Sequence, residues 1–184
     1  GDATHVYAIA DTGTVVRWNG TAFVSSGTYP TTGTGQAHVA NIATSVASPT
    51  TVFVASGDGR VWRSLDSGVT WGAAVELPRA IRIFDIDSTG SLGAIAVGSQ
   101  HYTASTANAT TWNDLEYDVT SRPYLDIDAD PSNGRIAVAV GVGGAIRTTA
   151  DGGATWTART SGTTANLFAV THASGCTMAS NDWP

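Results

Sequence analysis

The stretch Ser64-Leu65-Asp66-Ser67-Gly68-Val69-Thr70-Trp71 returns later in the chain as Thr149-Ala150-Asp151-Gly152-Gly153-Ala154-Thr155-Trp156, so that Ser/Thr-x-Asp-x-Gly-x-Thr-Trp is spelled twice. A degraded third copy, Ser105-Thr106-Ala107-Asn108-Ala109-Thr110-Thr111-Trp112, keeps the spacing to Trp but replaces the Asp and the Gly. The three Trp residues are 41 and then 44 residues apart. A period of that length marks a stacked or radial architecture whose units cannot bury their apolar faces alone.

Around each phrase a fuller unit emerges. The apolar run Val52-Phe53-Val54-Ala55-Ser56-Gly57 matches Ala94-Ile95-Ala96-Val97-Gly98 and Ile136-Ala137-Val138-Ala139-Val140-Gly141. Another apolar segment precedes each run, over 39–44, 81–87 and 124–128, and a short strand such as Arg60-Val61-Trp62-Arg63 follows it. The unit is four short strands, with the phrase as the turn between the third and fourth. In that turn the Asp carboxylate can accept backbone N–H bonds, Gly68 and Gly153 supply positive φ, and Trp71 and Trp156 anchor the turn by burial. The chain opens within a unit, with Val6-Tyr7-Ala8-Ile9, Val15-Val16-Arg17-Trp18 and Ala22-Phe23-Val24 as second, third and fourth strands, and 166–170 reads as a last first strand.

The expected architecture is a single all-β domain over 1–184, a β-propeller of about four four-stranded antiparallel blades, either a small ring or part of a larger one. The repeats run 1–37, 38–80, 81–122 and 123–165, with 166–184 closing the ring or starting a further blade. Pairing of the last strand with the first would close four blades and remove exposed edges.

The repeated phrase, together with Asp130-Pro131-Ser132-Asn133 at a turn between first and second strands, resembles the Asp-box or BNR repeats. These occur in sialidases, xyloglucan-cleaving glycosidases, sortilin-type receptors and photosystem II assembly factors. The resemblance covers about residues 38 to 171. It implies a propeller in which Ser64, Asp66, Gly68, Trp71, Thr149, Asp151, Gly153 and Trp156 form structural turns on the outer part of the blades, remote from any axial site.

Composition narrows the function. The 184 residues contain nine Arg, no Lys and a net charge of −6, without a basic stripe, which argues against nucleic acid or an anionic membrane as partner. No stretch has the roughly 20 apolar residues of a membrane span. Cys176 stands alone, excluding an intramolecular disulfide, and reads as a small buried residue. Absence of Lys, abundant Thr and Ser, and the sequons at Asn19 and Asn108 lean towards an exported protein, extracellular or periplasmic.

Catalysis has few candidates. Glu76 and Glu116 are the only glutamates, and the adjacent Glu116 and Tyr117 would point to opposite faces of a strand, which argues against the sialidase arrangement the resemblance offers. Asp85 with Asp87, and Asp126 with Asp128, sit at i, i+2 on one strand face about 6 to 7 Å apart, a spacing compatible with paired-carboxylate glycoside hydrolysis. The same residues read equally as solvated or turn-bonded carboxylates. Asp126, Asp128 and Asp130 alternate as Ca²⁺ ligands would, but Pro131 and the lack of a following Glu weaken that reading, and no cofactor is called for. His5, His38, His101 and His172 are scattered along the chain, without metal-ligand spacing. Trp18, Arg60, Trp62 and Tyr102, on third strands, are candidates for a sugar- or protein-facing surface, with core packing between blades as the alternative.

The expectation is a non-catalytic binding or scaffolding module for a protein or glycan. The alternatives are a carbohydrate-active hydrolase or a fragment of one, and a structural subunit that self-assembles by strand addition through the chain ends at 1–5 and 176–184.

Overall fold

The computed structural model describes residues 5–10, 12–28, 39–45, 47–79, 82–91, 93–116, 121–130 and 132–172. Within them lie fifteen strands: β1 (Tyr7–Ile9), β2 (Thr14–Trp18), β3 (Phe23–Thr28), β4 (Val39–Thr44), β5 (Val52–Ser56), β6 (Arg60–Ser64), β7 (Val75–Glu76), β8 (Ile83–Ser88), β9 (Ala94–Gly98), β10 (Thr103–Thr106), β11 (Asn113–Glu116), β12 (Tyr124–Ala129), β13 (Ala137–Gly141), β14 (Ile146–Thr149) and β15 (Thr157–Arg159). They form a three-stranded sheet, β1-β2-β3, and three four-stranded sheets, β4 to β7, β8 to β11 and β12 to β15, each antiparallel and in chain order. This is the up-and-down blade of a propeller, and the four sheets are blades 1 to 4.

The second strands explain why the sequence shows apolar runs where a half-buried strand would alternate with polar residues. β5, β9 and β13 are buried at every position. Successive side chains on a strand point to opposite faces, and here each face meets a different blade. Phe53 and Ala55 pack against Ile86, Ala94, Ala96 and Trp112 of blade 3, while Val54 joins Trp62, Trp71 and Ile9 of blade 1. Ile95 and Val97 in turn pack against Ile127, Ala137, Ala139 and Trp156 of blade 4. Full burial of a side chain such as Phe53 contributes about 2–3 kcal/mol, and each blade interface collects several.

The first strand of every complete blade carries a β-bulge at the same place. The pairing register shifts between Val39 and Asn41, between Ile83 and Asp85, and between Tyr124 and Asp126. A bulge re-aims the side chain that follows it. Here that side chain is Asn41, Asp85 or Asp126, and its new direction is towards the next blade.

One expectation is modified. The segment 166–170 is not a strand of the blade 1 sheet, in which β1 pairs with β2. Instead 166–172 follows the side of blade 4, with Leu167 N–H donating to Gly141 O at 3.0 Å and Asn166 accepting from Gly143 N–H at 3.0 Å. The apolar clusters accordingly join blade 1 to 2, 2 to 3 and 3 to 4. The chain ends assigned to strand addition lie largely outside the described residues, at 1–4 and 173–184, as do Cys176, His38 and Tyr117. No helix among the described residues is long and apolar enough to cross a membrane.

Candidate functional site

The outer turns come first, because the repeated phrase lies there. Ser64 Oγ donates to Asp66 Oδ1 at 2.7 Å and accepts from Gly68 N–H at 2.8 Å. Asp66 accepts from Thr70 N–H at 2.8 Å and from Thr70 Oγ1 at 2.5 Å, and the Trp71 indole N–H donates to Gly68 O at 3.1 Å. Blade 4 repeats the pattern, with Thr149 Oγ1 on Asp151 at 2.8 Å and Thr155 N–H and Oγ1 on Asp151 at 2.9 and 2.6 Å. Burial acts to raise these two carboxyls, but the Thr and Ser hydrogen bonds outweigh it and hold both below the usual carboxylate range. Gly68 and Gly153 take φ of 83° and 89°, and a Cβ on either would press on the preceding blade, at Ser26 and Val15 or at Ile95 and Leu115.

Blade 3 departs from the sequence reading. Counting back from Trp112 pairs Ala107 with Asp66 and makes the carboxylate look lost. In the structure Asn108 does its work: Asn108 Oδ1 accepts from Thr110 and Thr111 N–H at 3.0 and 2.9 Å, and Thr106 Oγ1 accepts from Ala109 N–H at 2.8 Å. The turn is one residue shorter, and Ala109 occupies the glycine place at φ 57°. Blade 1 uses Asn19 the same way, accepting from Thr21 and Ala22 N–H, both at 2.9 Å. All four turns therefore rest on an Asn or Asp oxygen.

The candidate catalytic carboxylates occupy the opposite, inner edge. Asp85 Oδ2 accepts from Ile127 N–H of the next blade at 2.8 Å, and its Oδ1 accepts from Ile86 N–H at 2.8 Å and from the Asn41 amide of the blade before. Asp87 Oδ2 accepts from Ala129 N–H at 2.7 Å and its Oδ1 from Ser88 N–H at 2.7 Å. Asp126 accepts from Val170 N–H at 2.6 Å, and Asp128 from His172 N–H. The result is a ladder in which each axial carboxylate receives a backbone N–H from the segment that follows it around the axis, β12 or 166–172. Where β4 carries Ala43 in place of an Asp, Ser88 Oγ donates to Thr44 O at 2.8 Å instead. Burial, with the neighbouring Asp126 carboxyl second, pushes Asp85 up to about 8, and burial pushes Asp87 up to about 6 despite the Ala129 N–H.

The remaining candidates separate by burial. Trp62 and Tyr102 are 1% and 0% exposed and belong to the blade interfaces, which removes both from a ligand-facing surface. Trp18 is half-buried with its ring 5.3 Å from that of Phe23, on the outer side of blade 1. Arg60 is held 3.5 Å from both Asp58 and Glu76. Asp130 caps its own turn, accepting from Ser132 N–H at 2.8 Å and Ser132 Oγ at 2.7 Å, and these bonds lower its pKa. No group of three or more His, Cys, Asp or Glu among the described residues is placed to hold a metal ion.

Sequence reasoning did not single out one region. Where β4, β8, β12 and 166–172 end side by side, a cavity of about 280 Å³ opens, lined by Asp87, Ser88, Asp128, Asp130, Ser132 and His172 among others. The recurrence of Asp87 and Asp128 at the 41-residue period was the signal that could have placed both at one end of the axis.

No family model matches the chain, and no curated protein does. Solved structures do. YCF48 bound to D1 peptide aligns with 85% of this chain and 52% of its own at a TM-score of 0.62 and 14% identity. A GH74 enzyme from Niastella koreensis aligns with 85% of this chain and 27% of its own at 0.63 and 16%. The WD40 β-propeller domain of Doa1 aligns with 92% and 54% at 0.67 and 12%. The chain thus spans between about a quarter and about a half of these propellers, and the likeness is one of fold.

Proposed function

We propose that the chain is a non-catalytic binding or scaffolding module built from Asp-box repeats, exported from the cell, with a protein as its partner. The observation that carries this reading is the axial ladder. The four carboxylates that offered acid–base chemistry each accept a backbone N–H bond from the neighbouring axial segment, a bracing duty that accounts for their placement without a reaction. YCF48 with its bound peptide is a propeller of similar fold that takes a protein segment, which supports the choice of protein over glycan. Export is supported by the absence of Lys and by the sequons at Asn19 and Asn108, both of which sit on outer turns.

A second reading, a fragment of a carbohydrate-active hydrolase, is favoured by one feature: burial pushes the Asp85 carboxyl up to about 8, the direction a general acid needs. The GH74 enzymes share the fold, one of them a xyloglucanase from Xanthomonas campestris at 13% identity. Peptide and glycan arrays run beside a xyloglucan-hydrolysis assay separate the two readings. Selective peptide binding with no released reducing sugar is expected. Hydrolysis abolished by Asp85→Asn would establish the enzyme reading in its place, and binding confined to glycans would replace the protein partner.

A further inference from the structure

The cavity at the end of the axial strands is electrically unbalanced. Three carboxylates, Asp87, Asp128 and Asp130, line it, and no Arg does. The N–H bonds from Ala129 and His172 fix the positions of the first two carboxylates but leave their formal charge in place. Beside them stands the His172 imidazole, whose side chain is only 7% exposed and whose two ring nitrogens have no hydrogen-bond partner. Its nearest charged neighbour is Asp130 Oδ2, 4.0 Å from Nδ1. A buried ring with both nitrogens unused carries a desolvation cost that no hydrogen bond offsets, a deficit that an incoming hydrogen-bonding group would relieve.

The ligand chemistry follows from charge, size and geometry. Three carboxylates and an imidazole call for a cation that also donates hydrogen bonds. A bare divalent ion does not fit, because no three of the described carboxylates and imidazoles converge on one point. The cavity of about 280 Å³ lies at the small end of the roughly 300–1,000 Å³ range of ligand pockets and matches the end of one long side chain. The hydroxyls of Ser88 and Ser132 on its wall add acceptors for the remaining N–H groups.

We propose that this cavity receives the cationic head of a lysine or arginine side chain presented by a protein partner. The inference rests on the binding-module reading above and adds the chemistry of the contact. The ammonium or guanidinium would lie between the Asp87, Asp128 and Asp130 carboxylates, with a ring nitrogen of His172 accepting one of its N–H bonds.

The test uses the full chain, isotopically labelled, with backbone amides of Ala129, Ser132 and His172 as reporters. N-acetyl-lysine amide and N-acetyl-arginine amide are titrated separately, with N-acetyl-norleucine amide as the uncharged control and spermidine as a free polyamine. Saturable shifts confined to those reporters are expected from at least one of the two cationic amino-acid probes, and none from norleucine. Asp87→Asn and Asp128→Asn each keep an oxygen for the ladder N–H while removing charge, and should weaken binding about fivefold or more. Salt at about 0.5 M should weaken it further. Equal shifts from norleucine, unchanged binding in both variants, or spermidine binding at least tenfold tighter than either amino-acid probe would overturn the proposal. Should a variant unfold, the ring-nitrogen resonances of His172 in the unmodified chain decide: they move on titration or the proposal fails. Peptide binding on the array with no response in this cavity would sink the inference alone, whereas a cavity response with silent arrays would sink the broader reading.

Discussion

The outer turns and the axial ladder use the same side chain for the same bond and reach opposite electrostatic states. Asp66 and Asp151 accept N–H and hydroxyl bonds from their own turn, at an edge where water can reach them, and stay ionised more readily than a free aspartate. Asp85 and Asp87 accept N–H bonds of similar length from another blade, in the interior, and hold their protons more tightly than a free aspartate. Hydrogen-bond count does not separate the two sets. Burial does, because desolvation penalises the charge more than two or three N–H groups restore it.

The largest expected effect tests the buried member. Asp85→Ala leaves the N–H groups of Ile86 and Ile127 and the Asn41 amide without their acceptor, and should cost about 3 kcal/mol or more in urea unfolding. Asp85→Asn, which keeps one oxygen and cannot ionise, should cost much less. Near-equal losses in the two variants would contradict the ladder.

The next effect is in pH. Asp85 and Asp87 are raised, so their contribution to stability is complete below the unfolded value of about 3.8 and is lost as pH rises through about 6 and then about 8. Asp66 and Asp151 are lowered, so theirs is present above that value and is lost as pH falls through their folded values. Thermal melts should therefore show lower stability at about pH 9 than at about pH 5, with a separate loss in strong acid. Asp85→Asn should flatten the alkaline limb and leave the acid limb alone. A melt profile unchanged by that substitution would break the comparison.

Smaller effects belong to the turns. Asp66→Ala and Asp151→Ala should each cost about 1–2 kcal/mol, and Asn108→Ala about 1 kcal/mol, since a neutral amide makes weaker bonds than a carboxylate. Smallest is the glycine place. Ala109→Gly, relieving an alanine at φ 57°, should raise stability by about 0.5 kcal/mol, whereas Gly153→Ala at φ 89° against Ile95 and Leu115 should lower it by about 1–2 kcal/mol. Opposite signs in a pair of melts are the outcome to look for.

The blade was legible because its signals are local. The Trp phrase, its spacing and the apolar runs lie within one repeat, and β4, β5, β9 and β13 fall where those runs fall. Asn108 was misread because the count was anchored on Trp112, and a turn one residue shorter shifts every earlier position. The ladder was not read because its partners are remote: Asp85 and Ile127 are 42 residues apart, and Asp126 and Val170 are 44. Only the period hinted at it, since Asn41, Asp85 and Asp126 recur at 44 and 41 residues, close to the Trp spacing. Trp62 and Tyr102 were ambiguous for a similar reason, because both faces of a blade strand are interior and alternation no longer tells inside from outside.

The bulge that turns Asn41, Asp85 and Asp126 towards the next blade gives the chain a direction. Blades 3 and 4 behave like monomers of a head-to-tail polymer, each with an accepting head, its axial carboxylates, and a donating tail supplied by the segment after it, whereas blade 2 reverses one rung, Asn41 donating to Asp85. A segment of about one period, duplicated in frame, brings its own head and tail and leaves every rung matched. Insertion or loss of a single residue within an axial strand does not, because it turns the head to the wrong face. On this account whole-blade duplication should preserve the ladder, and a one-residue insertion within an axial strand should break it.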